Sequence, residues 1–182
     1  MKKKILIVVD MQHDFIQGSL GSSDSLNIVE NVVKKIESYN ERNDLIIATL
    51  DTHTSEYLET LEGKKLPILH CIEGTEGHSL DERIKKSLNA NAIYVKKATF
   101  GSLRLGNIIE EYLEKANLDA KDIEIELVGL CTDICVVSNA ILLRAMFPNT
   151  TISVASSCCA GTSKERHNAS LEVMKSCQID VN

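Results

Sequence analysis

Tryptophan is absent from this chain of 182 residues, which has only three phenylalanines and four tyrosines. So few rings argue against a platform on which nucleic-acid bases stack. Positive charge is not in excess either, because 20 lysines and arginines stand against 26 aspartates and glutamates, for a net charge of −6. The composition therefore predicts no general attraction for nucleic acid or for an anionic membrane.

Long hydrophobic runs are also missing. The apolar run that follows Lys2, Lys3 and Lys4 covers only residues 5–9, which is too short for a signal peptide or a membrane span. Six cysteines in a chain without such a segment indicate free thiols in a reducing compartment. We therefore expect a cytoplasmic protein and, at this length, a single domain over residues 1–182.

Short apolar runs alternate along the chain with segments of helical periodicity. The predicted strands are residues 5–9, 45–50, 92–95, 123–128 and 151–155, with an edge strand at 179–181. The predicted helices are residues 28–36, 105–113, 136–147 and 164–176. This alternation predicts βαβ units, and hence an α/β fold that is a three-layer α/β/α sandwich around a mostly parallel sheet.

Reactive or charged residues follow four of the predicted strands. They are Asp10, Asp51, the pair Lys96 and Lys97, and the stretch 131–135 with a cysteine at each end. In an open α/β sheet, ligands bind beyond the carboxyl ends of the strands, so these residues are expected to converge on one site. The long segment 52–79 interrupts the rhythm of strands and helices, and a loop of that length predicts a functional segment or a lid.

Cys135 lies where a predicted strand passes into a predicted helix. A thiol at a helix N-terminus can have a pKa well below its free value, which makes it a nucleophile near neutral pH, although a buried thiol of the core fits the same position. Asp10 can exchange a proton with that thiol, and a neighbouring lysine would keep the carboxylate ionised. A thiol, a carboxylate and an ammonium together are what amide hydrolysis through a thioester needs.

Several motifs in this order resemble those of a known family. They are D-x-Q-x-D-F at 10–15 with G-S-L at 18–20, D-T-H at 51–53, L-P-I-L-H-C at 66–71 with G-T-E-G at 74–77, K-A-T-F-G-S at 97–102, and G-L-C-T-D-I-C-V at 129–136. Together they resemble the cysteine hydrolases of the isochorismatase-like superfamily, and in particular the nicotinamidase-related branch. The resemblance extends from residue 4 to about residue 161.

The resemblance implies a catalytic triad of Asp10, Lys97 and Cys135. Lys97 is preferred to Lys96 because it directly precedes the A-T-F-G-S run. The family also has a cis peptide bond before the turn threonine.

That bond corresponds here to Leu130–Cys131, in a turn with Thr132. The resemblance implies that this turn directs backbone N–H groups at the oxyanion that forms during attack.

Asp51, His53 and His70 resemble the metal site of the nicotinamidase branch, which makes residues 52–79 a metal-binding loop over the active site. The implied cofactor is a divalent transition metal, zinc first, with iron or manganese as alternatives. Glu62 is the candidate for the fourth ligand, and Glu59 competes with it.

Phe15, Leu66 and Phe100 are expected to line the substrate pocket. Nicotinamidases hold the pyridine ring between a phenylalanine and a tryptophan, and Leu66 stands where that tryptophan is expected. The implied partner is therefore a small amide, either nicotinamide or a related carboxamide, and relatives lead us to expect a homo-oligomer. His78 and His167 are expected to be solvated.

Two other functions remain open from the sequence. The first is an isochorismatase-type vinyl ether hydrolase, which uses the aspartate and lysine without a nucleophilic cysteine. The second is a non-catalytic binding scaffold that responds to thiol chemistry through Cys131 and Cys135.

Overall fold

The computed structural model describes residues 2–182, which contain six strands in one sheet. The strands are β1 (Lys3–Val9), β2 (Leu45–Asp51), β3 (Ile93–Lys97), β4 (Ile123–Leu130), β5 (Thr151–Ala160) and β6 (Asp180–Val181). The α-helices are α1 (His13–Ile16), α2 (Ser23–Asn27), α3 (Val29–Glu41), α4 (Leu61–Lys65), α5 (Glu82–Ser87), α6 (Leu103–Ala116), α7 (Val137–Met146) and α8 (Lys164–Ser176).

Every pairing in the sheet is parallel, and the strand order is β3-β2-β1-β4-β5-β6. The predicted α/β fold is thereby confirmed, with a sheet that is wholly parallel. The order of connection reverses between β1 and β4, which pair in register with Val8 opposite Val128. A crevice for ligands opens at such a reversal, beyond the carboxyl ends of the two strands.

Both faces of the sheet are buried at its centre, which is why residues 5–9 of β1 form a continuous apolar run. Ile5, Ile7 and Val9 belong to a cluster on the side of α6, α7 and α8. The alternate residues Leu6 and Val8 belong to a second cluster on the side of α3 and α5. These two cores fix the orientation of the strand ends that carry the site.

Two features differ from the sequence prediction. β5 continues to Ala160 instead of ending at residue 155, because a register shift after Leu127 lets Gly129 pair with Cys159 and Leu130 with Ala160. The segment 52–79 contains a 3-10 turn at Tyr57–Glu59 and the short helix α4, so it is structured rather than an open loop. Such short elements have too few turns to show a helical period.

Within residues 2–182, no helix combines the length and the apolar character that a bilayer crossing requires.

Candidate active site

Asp10, Lys97 and Cys135 meet at the carboxyl edge of the sheet. The Lys97 Nζ atom lies 2.6 Å from Asp10 Oδ2 and 3.5 Å from Cys135 Sγ. All three residues are at most 5% exposed. The lysine therefore contacts both partners in an environment from which water is largely excluded, where charge interactions are stronger than at the surface.

Lys96 points away from this group. Its ammonium forms an ion pair with Glu73, at 2.5 Å, and the side chains of both residues are more than half exposed. The alternation of side chains along β3 separates the two lysines, because neighbouring residues of a strand face opposite sides of the sheet.

Asp10 occupies the turn that directly follows β1, with a left-handed backbone at φ 47°. Asparagine and aspartate tolerate this region better than other residues with a side chain. Thr49 on β2 holds the residue in place, because its hydroxyl donates to Asp10 Oδ1 at 2.6 Å and accepts from the Asp10 N–H at 3.2 Å. Among the described residues, Asp10 Oδ2 has no partner besides the ammonium of Lys97, so it keeps a lone pair for a proton.

The electrostatics of the triad favour a neutral thiol at rest. Burial raises the pKa of Cys135 well above its ordinary value, and Asp10 adds to the shift while Lys97 opposes it. The expected lowering of this pKa by a helix N-terminus is therefore wrong. Burial also raises the pKa of Asp10 despite the attraction of Lys97, which makes this carboxylate a stronger base toward the thiol.

Cys135 lies in a single π turn, Thr132–Val136, that leads into α7. The preceding Leu130–Cys131 peptide bond is cis. The carbonyl of Cys131 accepts hydrogen bonds from the N–H groups of Ile134 and Val136, each at 3.1 Å. The proposed nucleophile thus lies two residues before α7, within the π turn rather than in the first residues of the α-helix.

Cys131 and Cys135 do not form a thiol pair. Cys135 belongs to the apolar cluster on one face of the sheet, whereas Cys131 packs against the cluster on the opposite face. Both are free thiols. Nothing in this arrangement favours the thiol-responsive scaffold.

A second group of ligating side chains lies beside the triad, formed by Asp51, His53 and His70. Asp51 Oδ2 lies 2.9 Å from His53 Nε2 and 3.5 Å from His70 Nε2. One ligand atom from each residue lies within 4.8 Å of the other two, and all three residues are buried. His70 donates from Nδ1 to the Ile68 carbonyl at 2.8 Å, which leaves Nε2 free to bind a metal.

The carboxylate of Asp51 links this group to the triad. Its other oxygen, Oδ1, lies 3.5 Å from Lys97 Nζ. Although burial opposes the shift, hydrogen bonds with His53 and His70 and the charge of Lys97 hold the pKa of Asp51 below its usual range. An ionised carboxylate with two imidazoles is a donor set that suits zinc or iron.

Glu62 approaches the same point from α4. Its Oε1 atom lies 4.0 Å from His53 Nε2 and 3.9 Å from His70 Nε2, and its side chain is 24% exposed. Glu59, the competing candidate, is exposed at the end of the 3-10 turn. The geometry favours Glu62 as the fourth ligand.

Rings surround the two histidines. The Phe15 ring centroid lies 5.6 Å from that of His70, and Tyr57, which the sequence did not single out, lies 4.6 Å from His53 and 4.8 Å from His70. Leu66 is half-buried, and its carbonyl accepts a hydrogen bond from the Tyr57 hydroxyl at 3.1 Å. Phe100 lies just beyond β3 and is 49% exposed.

Gln12 is a buried residue whose role only the structure reveals. Its side chain accepts from the Asp51 N–H at 2.7 Å and donates to the carbonyls of Asp51 and His78 at 2.9 and 2.8 Å. It thereby joins the end of β2 to the far end of the segment 52–79. Its position in the D-x-Q-x-D-F motif was the available signal.

His78 and His167 are not solvated as expected. His78 is 9% exposed and shares a hydrogen bond of 2.8 Å with the Thr52 hydroxyl. His167 is half-buried, and its Nδ1 atom lies 2.8 Å from the hydroxyl of Thr132 in the π turn. Both predictions were wrong because these contacts join residues far apart in the sequence.

Comparison with known proteins places this chain in a family. Residues 4–181 match the family described as "Isochorismatase domain". The chain belongs to this family. It is 27% identical over 147 residues to PncA of Bacillus subtilis strain 168, an uncharacterized isochorismatase family protein. The matched region covers 76% of this chain and 77% of that protein.

Solved structures of the family have the same fold. A nicotinamidase/pyrazinamidase from Bacillus subtilis superposes with a TM-score of 0.81 at 26% identity and covers 98% of both chains. A pyrazinamidase of Pyrococcus horikoshii in complex with zinc superposes with a TM-score of 0.82 at 25% identity, covering 99% of this chain and 98% of the other. The isochorismatase family member described here therefore shares its whole architecture with amide-cleaving relatives.

Proposed function

We propose that the protein is a cysteine amidohydrolase that cleaves a small carboxamide to a carboxylic acid and ammonia through a thioester. The observation that carries the proposal is the contact of one buried ammonium, Lys97, with both the Asp10 carboxylate and the Cys135 thiol. The names of the solved relatives, nicotinamidase and pyrazinamidase, support an amide and make nicotinamide the first candidate.

The geometry supports a two-stage reaction. Asp10 takes the proton of the Cys135 thiol as the sulfur attacks the amide carbon, forming a C–S bond. When the C–N bond breaks, Asp10 returns that proton to the leaving nitrogen and ammonia departs. Asp10 then takes a proton from water, whose oxygen attacks the thioester carbon. When the C–S bond breaks, Asp10 returns that proton to the sulfur, so the acid is released and the Cys135 thiol is restored. Lys97 stabilises the anionic partners in both stages.

The turn 130–136 supports the stabilisation of charge on the substrate oxygen. We propose that backbone N–H groups of Cys131 or Thr132 and of Cys135 donate to this oxygen in the tetrahedral intermediate. Thr132 is fully buried and its hydroxyl shares a hydrogen bond with His167 of α8, which helps to fix the turn.

Asp51, His53, His70 and Glu62 are the residues that would hold a divalent transition metal, with zinc as the first choice. The fit rests on three ligand atoms within 4.8 Å and on the free Nε2 of His70. A bound ion of this kind supplies Lewis acidity and an open position for a substrate atom or water.

The residues that are expected to line the substrate pocket limit which amides we propose as substrates. Phe15 lies beside His70 at the metal group, as expected for a ring contact with a planar amide. Leu66 offers an aliphatic surface where relatives that act on nicotinamide are expected to have tryptophan. Carboxamides other than nicotinamide therefore belong in the first test.

A screen of small carboxamides for ammonia release tests the proposal. We expect turnover of at least one planar or short aliphatic amide by protein supplied with zinc, iron or manganese, and no turnover by Cys135→Ala. Isochorismate would serve as the vinyl ether control. Hydrolysis of that ether by both forms, with no amide cleaved by either, would replace the proposal by the isochorismatase-type reaction.

Removal of the metal is expected to loosen the segment 52–79 more than the core strands. Ligands from two points of this segment would be joined through the ion, so chelation or His53→Ala should speed hydrogen exchange there and leave β1 and β4 protected. Elemental analysis should show a transition metal in the wild-type protein and little in His53→Ala.

His78→Ala is the matched control, because this buried histidine lies in the same segment but bonds Thr52. We expect it to retain the metal. Metal-free wild-type protein with full amidase activity in EDTA would contradict the proposed metal site.

A further inference from the structure

Asn139 is a fully buried polar residue in the first turn of α7. Its side-chain amide donates to the carbonyl of Cys135 at 2.8 Å and to that of Phe100 at 3.3 Å, and it accepts from the N–H of Ser102 at 2.8 Å. All three partners are backbone groups. Both donors of the amide are used, so this geometry orients the side chain completely.

The three contacts join two parts of the candidate site that the sheet alone does not connect. One part is the turn that carries Cys135. The other is the stretch 100–102, which leaves β3 three residues after Lys97 and carries the half-exposed Phe100. Asn139 thus fixes the turn that carries Cys135 relative to the stretch 100–102, which carries a residue of the proposed pocket.

The stretch 100–102 lies close against α7. A Cβ atom at Gly101 would come within 2.6 Å of Leu142 Cδ1 and 3.3 Å of Ser138 Cβ. This close approach brings the backbone of the stretch within reach of the Asn139 amide. A buried amide without its partners would be unfavourable, so the bonds hold the stretch at this distance.

We propose that Asn139 is a positioning residue that aligns Cys135 with a substrate held against Phe100, and that it thereby contributes to both turnover and substrate affinity. This inference rests on the proposed amidase function. It assigns Asn139 no contact with the substrate. Its bond to the Cys135 carbonyl fixes the turn that carries the nucleophile. Its bonds to the backbone of Phe100 and Ser102 fix the stretch 100–102.

Two substitutions separate these effects. Asn139→Leu has a similar size and removes all three bonds, and we expect kcat to fall about 100-fold, as misplacement of reacting groups by about 1 Å can cause, with a higher KM. In Asn139→Ser the hydroxyl can still donate to the carbonyl four residues earlier, that of Cys135, but is too short to bind the stretch 100–102. This variant therefore keeps one of the three bonds and loses the two to the stretch 100–102, so it should raise KM about tenfold and keep most of kcat.

Thr150→Val provides the matched control. Thr150 is also buried, at 3% exposure, and its hydroxyl donates to a backbone carbonyl, that of Ala120, at 2.7 Å. The contact lies before β5, at the edge of the sheet opposite the site. We expect a lower Tm with unchanged kcat and KM.

Hydrogen exchange at Ser102 provides a readout that needs no substrate. Its N–H donates to Asn139 Oδ1, so exchange should be faster in both Asn139 variants and unchanged in Thr150→Val.

If the wild-type protein cleaves no amide, the proposed function fails, while hydrogen exchange still tests whether Asn139 holds the stretch 100–102. Unchanged exchange would overturn the inference. Faster exchange with wild-type kcat and KM would also overturn it, because Asn139 would then be only structural. If the leucine variant does not fold, the KM and exchange of the serine variant decide.

Discussion

Replacing Cys135 by alanine is expected to abolish amide hydrolysis while the protein stays folded. The substitution removes the nucleophile that attacks the amide carbon in the proposed reaction, and loss of a nucleophile of this kind typically lowers kcat by about 10⁴-fold or more. The loss of one buried sulfur should lower the free energy of unfolding by only about 1 kcal/mol. Ammonia release and thermal unfolding, measured on the same sample, check both parts.

Cys131→Ala is the matched control for this prediction. It removes a second thiol from the same turn, but one that packs against the opposite face of the sheet and contributes, in the proposal, only a backbone N–H. Its kcat should stay within about tenfold of wild type. A Cys135→Ala variant with near wild-type activity would exclude a thioester on Cys135. If, in addition, Cys131→Ala were inactive, the nucleophile would be the Cys131 thiol.

Lys97→Ala is expected to lower kcat by about 10³-fold, the range typical of groups that govern proton transfer. Without the ammonium, Asp10 and Asp51 lose the cation that lies 2.6 Å from one and 3.5 Å from the other. The Asp10 carboxyl would then bind its proton more tightly, and burial would keep the Cys135 thiol neutral. Steady-state kinetics measure the fall in kcat, and a thermal unfolding curve shows whether the variant is folded.

Lys96→Ala is the matched control for Lys97→Ala, because it removes one positive charge next to the site without removing an ammonium from it. The neighbouring lysine has a side chain that is 61% exposed and pairs with Glu73. Exposed ion pairs of this kind contribute about 0–1 kcal/mol, so kcat and Tm should hardly change. A silent Lys97→Ala with an inactive Lys96→Ala would shift the triad by one residue.

The strand ends were the most informative part of the sequence. Asp10 and Asp51 directly follow apolar runs and Lys97 lies two residues after one, and parallel strands bring such ends to one edge. The order β3-β2-β1-β4 places them side by side, as the alternation of strands and helices predicts. The motifs then distinguished Lys97 from Lys96, which strand alternation alone supports only modestly.

The contacts that hold the site together were beyond prediction from the sequence. Gln12, Asn139 and His167 each bond groups that are more than 30 residues away in the chain. Such bonds depend on how strands and helices pack, and no local pattern of residues encodes them. The π turn at 132–136 also cannot be predicted from the sequence, because it lengthens one turn without changing the apolar pattern of α7.

The pKa of Cys135 shows how burial can outweigh a local rule. The sequence places the thiol near a helix start, where the dipole favours a thiolate. In the folded protein the residue is 5% exposed and close to Asp10, and desolvation of the charged form dominates. The proton must therefore be removed during the reaction, which gives Asp10 its proposed role as the base.

Partitioning of the acyl group between water and hydroxylamine tests the thioester most directly. A carboxamide that the protein cleaves, and the methyl ester of the same acid, would be hydrolysed in the presence of hydroxylamine. Both substrates would form the same acyl group on Cys135, so we expect a hydroxamate in both reactions and an identical ratio of hydroxamate to acid. Ratios that differ between the two substrates, or acid formed from the amide with no hydroxamate, would contradict a covalent intermediate on Cys135.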